Sequence, residues 1–357
     1  MKVCIIGNGL VSLSLAKALV NKGISVDVFR SQKLNKYNEN QTIGITRSNI
    51  KYFNKEIINI EKFHWKIKDI KIYSNDFSKN EILKFKDTNK YLFSIIKNHQ
   101  LYEILDKDLK KNTFFNYKFF IDYKYILKQN YKLIINCDFK NEITKKFFSK
   151  KIEKKYDSFA YVTIINHKKI QNNRTATQIF TNKGPIAFLP ISNSETSVVC
   201  SFKNNNNNKI DIIELIKEFN PKYKIRLIRD IVNYELKSSN LRNYYKDNIL
   251  AFGDLLHKIH PLAGQGFNMS LRDIKELIKL IDKRINLGLE LDRSICIDFE
   301  NQTKDKNYIF SQGIDFIYEF FDLENKLNSN IFRQSINMFG KNKFLNNYFR
   351  KFADLGL

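Results

Sequence analysis

The first 30 residues limit the possible folds more than any other part of the sequence, because a glycine turn there separates a strand pattern from a helix pattern. Residues 3–6 (VCII) form an apolar run suited to a strand that is buried on both faces, and Gly7-Asn8-Gly9 interrupts it. Apolar residues then recur at helical spacing over residues 10–20, and residues 24–29 (ISVDVF) are typical of a second strand. The pattern predicts a β-α-β unit.

The glycines of this unit also predict a chemistry. Gly7 and Gly9 match the first two positions of the dinucleotide-binding fingerprint, and Ser12 stands at the third. The first glycine permits a tight turn, the second lets a pyrophosphate approach the backbone, and the amides at the helix N-terminus meet that anion. Dinucleotide binding is expected, with a plain structural turn as the alternative. Arg30 stands where an acid usually binds ribose, and an arginine there ordinarily suggests a ribose phosphate and hence a phosphorylated nicotinamide cofactor. The turn therefore does not decide which dinucleotide binds.

Length and charge further limit the domain organisation and the classes of function that the sequence allows. The chain has 357 residues, more than the roughly 250–300 at which one core stops growing, so two domains or one large composite domain are expected. A hydrophobic share of 43% excludes global disorder. Lysine and arginine (61) exceed aspartate and glutamate (37) for a net charge of +24, which suits a nucleic-acid or membrane-surface binder. A/T-rich codon usage is the alternative source of that charge, so charge alone names no function.

The four cysteines exclude several kinds of site. Cys4, Cys137, Cys200 and Cys296 lie far apart without a C-x-x-C pair, so a zinc ribbon, a dithiol redox centre and a disulfide framework lack support. No secretion signal or membrane span is predicted. The expected compartment is the reducing cytoplasm.

The rest of the sequence alternates between helical and strand patterns. Helices are predicted over residues 91–109 and 266–281, and throughout the chain after residue 298. Residues 204–208 are predicted to be a surface loop. A hairpin is predicted over residues 69–88, and the remaining strands are predicted at 132–136, 160–165, 176–181, 186–189, 197–202 and 249–252, the middle four forming an antiparallel sheet.

A second motif follows the last of these strands. The strand ends in Gly253-Asp254, Pro261 closes a turn, and Gly264-Gln265-Gly266 enters a helix whose free amides face the same crevice. An acid at a strand end can accept hydrogen bonds from sugar hydroxyls. A helix N-terminus can stabilise negative charge on a reduced ring.

Residues 251–273, which contain this motif, resemble the FAD-dependent aromatic hydroxylases of the para-hydroxybenzoate hydroxylase type. The closest resemblance is to their ubiquinone-biosynthesis branch, the polyprenyl-methoxyphenol hydroxylases, and residues 172–190 look like that branch's substrate-domain strand pair. The resemblance runs from residue 1 to about residue 305. It implies a monooxygenase that uses FAD, NAD(P)H and molecular oxygen to hydroxylate a polyprenylated phenol through a flavin hydroperoxide.

The resemblance also implies roles for particular residues. Gly7, Gly9, Leu10 and Ser12 would seat the FAD pyrophosphate. Cofactor contacts are further implied for Asp138, Gly253, Asp254, which would bind the ribityl chain, Gly264, Gln265 and Gly266 near the flavin pyrimidine, and Asn268 close behind. Pro261, Gly264 and Gln265 would stand at the reacting face of the flavin as catalytic positions.

The implied fold is α/β, with a Rossmann-like split FAD-binding domain, a β-rich substrate domain and a C-terminal helical tail. The predicted FAD-binding domain comprises residues 1–68, 91–150 and 245–298, the substrate domain residues 69–90 and 151–244, and the helical region residues 299–357. Five positions depart from the family pattern, and two of them are Leu255 and Leu256, which replace paired alanines before the first histidine of the motif. Arg30 replaces the ribose-binding acid, Phe139 replaces the glycine of an Asp-Gly motif, and His99 stands where an arginine is usual.

Other functions remain as alternatives. Arg30 and Phe139 also suit a degenerate, non-catalytic flavoprotein or a scaffold of the quinone-synthesis complex. The aromatic C-terminal helices suit either core packing or docking, on an anionic membrane or on the polyprenyl tail of the substrate. The membrane expected is the inner face of the cytoplasmic membrane. His257 and His260 form at most half a metal site, and no metal is predicted. The flavin motifs leave nucleic-acid binding with little support.

Overall fold

The computed structural model describes residues 1–30, 39–74, 81–86, 90–119, 122–203, 211–260, 264–327 and 354. Within these residues the strands form three sheets. The predicted loop at residues 204–208, Pro261, and the aromatic residues of the predicted C-terminal helices beyond residue 327 lie outside the described residues.

The first sheet is the Rossmann-like one. In the described part of the chain it has six strands, in the order β16-β17-β9-β1-β2-β8. The strands are β1 (Lys2–Ile6), β2 (Ser25–Arg30), β8 (Phe115–Phe119), β9 (Ile134–Asn136), β16 (Tyr245–Lys246) and β17 (Ile249–Ala251). All pairs are parallel except β16 with β17.

The second sheet is the predicted β-rich one. Its path through the described residues is β18-β15-β10-β13-β12-β11-β5-β6, and β14 pairs with β10. The strands are β5 (Asp69–Ser74), β6 (Glu81–Lys86), β10 (Lys151–His167), β11 (Thr175–Thr181), β12 (Gly184–Pro190), β13 (Glu195–Lys203), β14 (Ile225–Ile228), β15 (Val232–Leu241) and β18 (His257–Lys258). The four middle strands of the prediction pair antiparallel, and the hairpin of β5 and β6 joins them through a parallel β5–β11 pair.

A small antiparallel sheet and eight helices complete the described chain. The sheet has the order β3-β7-β4, with β3 (Thr42–Thr46), β4 (Trp65–Ile67) and β7 (Phe93–Lys97). The helices are α1 (Leu10–Val20), α2 (Arg47–Tyr52), α3 (Asn98–Leu109), α4 (Tyr123–Lys128), α5 (Glu142–Phe147), α6 (Ile212–Glu218), α7 (Gly266–Asn286) and α8 (Arg293–Leu327). A π-helix (Phe53–Ile57) and a 3-10 helix (Gly253–Leu255) also occur.

The largest core lies around the first sheet. It contains the buried apolar residues of β1 and β2 together with the inner faces of α1, α3 and α7, and α8 contributes Phe299. The predicted β-α-β unit and the α/β fold class with a β-rich second sheet are confirmed. None of the helices formed by the described residues is long and apolar enough to span a membrane.

One predicted helix is partly wrong. Residues 93–97 form strand β7, and the helix begins at Asn98. Ile95 packs with Ile67 and Ala176, whereas Ile96 belongs to the main core. Because β7 is buried on both faces, its apolar residues are adjacent and mimic part of a helical pattern.

Candidate functional site

Three parallel strands end at the same edge of the first sheet, and we refer to the space beyond their carboxyl ends as the crevice. Ile6 and Ala251 both stand in register with Asn136, so β1, β9 and β17 stop at one level. The segments that follow them begin with Gly7, Cys137 and Phe252. This is the edge at which open parallel sheets bind ligands.

The backbone conformation of Gly7 at this edge is one that residues other than glycine rarely adopt. Its φ is +106°, and a Cβ there would lie 3.4 Å from the amide nitrogen of Asp138. Gly9, by contrast, has nothing within 4 Å of the place a Cβ would occupy, so its backbone faces open space. The first turn of α1 contains no acidic residue, and no side chain caps it. The turn and the α1 N-terminus therefore present an open, positively polarised cradle suited to a pyrophosphate.

Leu10 and Ser12 lie on α1 beside this cradle. Both are buried, and the Ser12 hydroxyl hydrogen-bonds with the Cys137 sulfur. Burial raises the pKa of Cys137 to about 12, so the group is a thiol at neutral pH. The small Ser12 side chain thus joins α1 to the end of β9, as the fingerprint predicts for its third position.

Asp138 closes its own turn. Its carboxylate accepts a hydrogen bond from the Lys140 amide at 2.8 Å, and its carbonyl accepts one from the Thr144 hydroxyl at 2.6 Å. Phe139, which follows it, is 58% exposed. The predicted cofactor contact of Asp138 stays a prediction, and the structure gives the residue a role in shaping the crevice wall.

Asp254 lies three residues after the end of β17 and is close enough to Cys137 to interact with it electrostatically. The side chain is exposed, yet the surrounding walls desolvate it enough that burial raises the pKa of its carboxyl, against the opposing charges of His257 and Lys258. An accessible carboxylate enclosed by protein is suited to accept hydrogen bonds from ligand hydroxyls.

Gly253 precedes Asp254 and has a backbone conformation that favours glycine. Its φ is +65°, and a Cβ would lie 3.1 Å from Val11 Cγ1. We expect Gly253→Ala to lower the free energy of unfolding by about 2–3 kcal/mol, because backbone strain of about 1–2 kcal/mol adds to the clash. Gly288→Ala is the matched control, since Gly288 has φ +68° and open space around it. Urea titration of both variants measures the difference, and equal losses would show that Val11 does not contribute.

The N-terminus of α7 forms another wall. Gln265 is 5% exposed, and its Oε1 has no hydrogen-bond partner among the described residues. Nothing lies within 4 Å of a Cβ on Gly266, and a Cβ on Gly264 would lie 3.6 Å from the Gly44 nitrogen. No acidic residue or side-chain cap occupies the first turn of α7. This end of the crevice thus offers free amides and one unpaired buried acceptor.

Asn268 ties α7 to β3. Its Oδ1 accepts hydrogen bonds from the Thr46 amide and the Asn49 Nδ2, both at 2.9 Å. Its Nδ2 donates to the carbonyls of Gly44 at 2.9 Å and Gly264 at 3.1 Å. All side-chain hydrogen-bonding capacity of this buried residue is committed to the protein, so its expected role is to position the α7 entry rather than to contact the cofactor through its side chain.

Two residues of this network were missed by the sequence prediction. Thr46 and Asn49 lie on β3 and α2, more than 200 residues from Asn268 along the chain. No local motif marks them, because their partner is set by the way α7 packs against β3.

The paired histidines have separate structural partners. His257 Nε2 hydrogen-bonds with Asp273, whose other oxygen accepts from Asn307 at 2.9 Å. His260 packs edge-on against Tyr156 at 4.8 Å between ring centroids, and burial lowers its pKa to about 4. The described residues contain no group of three metal-type side chains.

Part of the chain around the crevice is similar to known FAD-binding proteins. The family model described as an FAD binding domain matches residues 132–286, which include β9, β17 and the entry to α7. Solved structures of other proteins share the fold, among them the following two. A p-nitrophenol 4-monooxygenase from Pseudomonas putida has a TM-score of 0.78 at 12% identity over 99% of this chain and 98% of its own. Klebsiella pneumoniae HpxO, solved with FAD and uric acid, has a TM-score of 0.75 at 13% identity over 99% and 96%.

Curated relatives are ubiquinone-biosynthesis enzymes. The mitochondrial ubiquinone biosynthesis monooxygenase COQ6 of Schizosaccharomyces pombe is 21% identical over 61% of this chain and 55% of its own length. The 3-demethoxyubiquinol 3-hydroxylase of Escherichia coli is 27% identical over 40% and 38%. The chain spans about half the length of the first of these relatives. The resemblance predicted from the sequence is confirmed: the chain is related to the FAD-dependent hydroxylases of ubiquinone biosynthesis.

Proposed function

We propose that this chain is an FAD-dependent monooxygenase that hydroxylates the aromatic ring of a polyprenylated phenol in ubiquinone biosynthesis. The observation that carries the proposal is the crevice where three strand ends meet the N-termini of α1 and α7. Its open glycine cradle, its accessible carboxylate and its unpaired glutamine oxygen are complementary to a flavin dinucleotide.

The order of the crevice residues along the chain would match the order of the parts of FAD, from the pyrophosphate to the flavin ring. Gly9 and the α1 amides would hold the pyrophosphate, and Asp254 would accept hydrogen bonds from the ribityl hydroxyls. The backbone from Gly264 to Gly266 would lie at the flavin pyrimidine, where the α7 dipole stabilises negative charge. When bound and reduced, FAD supplies the activation of molecular oxygen that ring hydroxylation requires.

NAD(P)H is the proposed electron donor, and the resemblance to the hydroxylase family supports it. The phenol and molecular oxygen are the proposed substrates. Growth of bacterial strains that each lack one ring hydroxylase of the pathway tests the function. Expression of this chain should restore the missing quinone in one such strain, and restoration in none of them, with the protein expressed and flavin-loaded, would contradict the proposal.

Phe139 favours one second candidate, a flavoprotein without catalytic activity. An exposed phenylalanine at the position of the family glycine changes a turn beside the crevice, and it lacks glycine's backbone freedom. Such a protein would retain FAD but would not oxidise NAD(P)H in the presence of any polyprenylated phenol. A flavin absorbance spectrum together with an NAD(P)H oxidation assay separates the two functions.

The proposed location is the cytoplasm, with the protein docked on the inner face of the cytoplasmic membrane. The net charge of +24 favours anionic lipid, and α8 exposes Tyr308 by 41%, Ile309 by 54% and Phe316 by 67%. We expect the protein to sediment with phosphatidylglycerol vesicles and not with phosphatidylcholine vesicles at low salt. Ile309→Asp should reduce the bound fraction several-fold, and unchanged binding would remove α8 from the docking surface.

A further inference from the structure

Arg30 lies on an aromatic platform at the end of β2. Its guanidinium carbon is 4.5 Å from the ring centroid of Tyr117 and 5.4 Å from that of Phe119. The parallel register of β2 and β8 places Arg30 directly opposite Phe119, and the Phe119 side chain is 55% exposed. A planar guanidinium is attracted to aromatic rings and stacks on them, so the neighbouring strand holds this cation in place.

The platform is linked to the glycine turn. The Gly7 amide donates a hydrogen bond at 2.8 Å to the carbonyl of Phe29. The Asn8 side chain hydrogen-bonds with the Tyr102 hydroxyl, and Tyr102 in turn hydrogen-bonds with Tyr117. The turn that would cradle the pyrophosphate thus also orients the ring beneath the guanidinium.

The acid on β2 is committed to the interior. Asp27 is fully buried and pairs with Lys2 at 2.9 Å and Lys118 at 2.7 Å. Hydrogen bonds from Lys118, Tyr131 and Lys2 overcome the effect of burial and hold the pKa of Asp27 below its ordinary value. Strand β2 therefore offers the crevice a cation and no free carboxylate.

We propose that Arg30, on its platform of Tyr117 and Phe119, binds the adenosine end of FAD. Its guanidinium donates hydrogen bonds to ribose oxygens, where an acid would accept them from ribose hydroxyls. The exposed ring of Phe119 offers an apolar face to the adenine, and the positive charge favours the adenosine-side phosphate, which FMN lacks. This inference rests on the proposed FAD site.

Paired titrations of the apoprotein with FAD and FMN test the inference, because FMN lacks the adenosine half. Flavin fluorescence gives both dissociation constants. We expect Arg30→Ala to raise the dissociation constant for FAD about tenfold and to leave that for FMN within about twofold, since one charge-assisted contact is lost. Arg226→Ala, which removes an exposed arginine on β14, is the matched control and should change neither constant.

Other binding results would overturn either the inference about Arg30 or the proposed function. Equal weakening of FAD and FMN binding by Arg30→Ala would show a structural role and overturn the inference, as would unchanged FAD binding. Arg30→Glu should weaken FAD binding further, and FAD binding as tight as in the wild type would show that the site requires an acceptor. If the wild-type protein binds neither flavin, the proposed function itself fails, whereas the preceding outcomes leave that function standing.

Discussion

Replacing Asp254 by asparagine is expected to raise the dissociation constant for FAD about 100-fold. The carboxylate is accessible in the crevice but desolvated by its walls, a setting in which hydrogen bonds to a charged acceptor are strong. Such bonds are worth about 1.5–3 kcal/mol each, and about 2.7 kcal/mol corresponds to 100-fold. Titration of the apoprotein followed by flavin fluorescence measures the change.

Asp247→Asn is the matched control for this variant. Asp247 is exposed at the opposite end of β17 and has φ +53°, a conformation that asparagine tolerates well. It should bind FAD as the wild type does. Full FAD occupancy in Asp254→Asn would show that the carboxylate does not hold the cofactor.

The pH dependence of binding gives a second readout for Asp254. Because burial raises its pKa, the carboxyl takes up a proton at a higher pH than an ordinary aspartate does. The ionised form is the stronger acceptor, so FAD affinity should fall as pH falls through that raised pKa. Asp254→Asn should lack this dependence, and an identical pH profile in both proteins would contradict the assignment.

Asn268→Leu is expected to lower the free energy of unfolding by about 3–5 kcal/mol. The change leaves the Thr46 amide and the carbonyls of Gly44 and Gly264 without this buried partner, and the Asn49 side chain keeps only its 3.3 Å hydrogen bond to the backbone carbonyl of residue 268. An unsatisfied buried group costs about 1–3 kcal/mol, and relaxation offsets part of the sum. Urea unfolding followed by tryptophan fluorescence measures the loss through Trp65.

Asn286→Leu on the same helix is the control for Asn268, because Asn286 is exposed at the end of α7. It should change stability by less than about 0.5 kcal/mol. A loss in Asn268→Leu no larger than that of the control would show that the tie between α7 and β3 is not needed for folding.

Much of the fold could be predicted because its signals are local. The run from Val3 to Ile6, the glycine break and the helical spacing from Leu10 all lie within a few residues of one another, and each agrees with the next. Strand β7 was misread because Ile95 and Ile96 face different cores. The parallel pairing of β5 with β11 could not be read either, since it joins segments about 100 residues apart.

The residues of the site that belong to local motifs could be predicted, and those that depend on tertiary contacts could not. Gly7, Gly253 and Asp254 belong to motifs whose spacing has a physical reason, and the structure brings their segments to one crevice. The commitment of Asn268 to Thr46 and Asn49 depends on a tertiary contact. The aromatic platform under Arg30 likewise depends on β8 lying beside β2, an order that the sequence does not display.

Oxygen-isotope labelling shows whether the crevice binds FAD for ring hydroxylation. FAD-loaded protein is supplied with NAD(P)H, a polyprenylated phenol and ¹⁸O₂, and the products are analysed by mass spectrometry. We expect one bound FAD per chain and a product that carries one ¹⁸O atom on the aromatic ring. Protein that binds no FAD, or flavin-loaded protein that gives no labelled product from any polyprenylated phenol of the pathway, would contradict the proposed function.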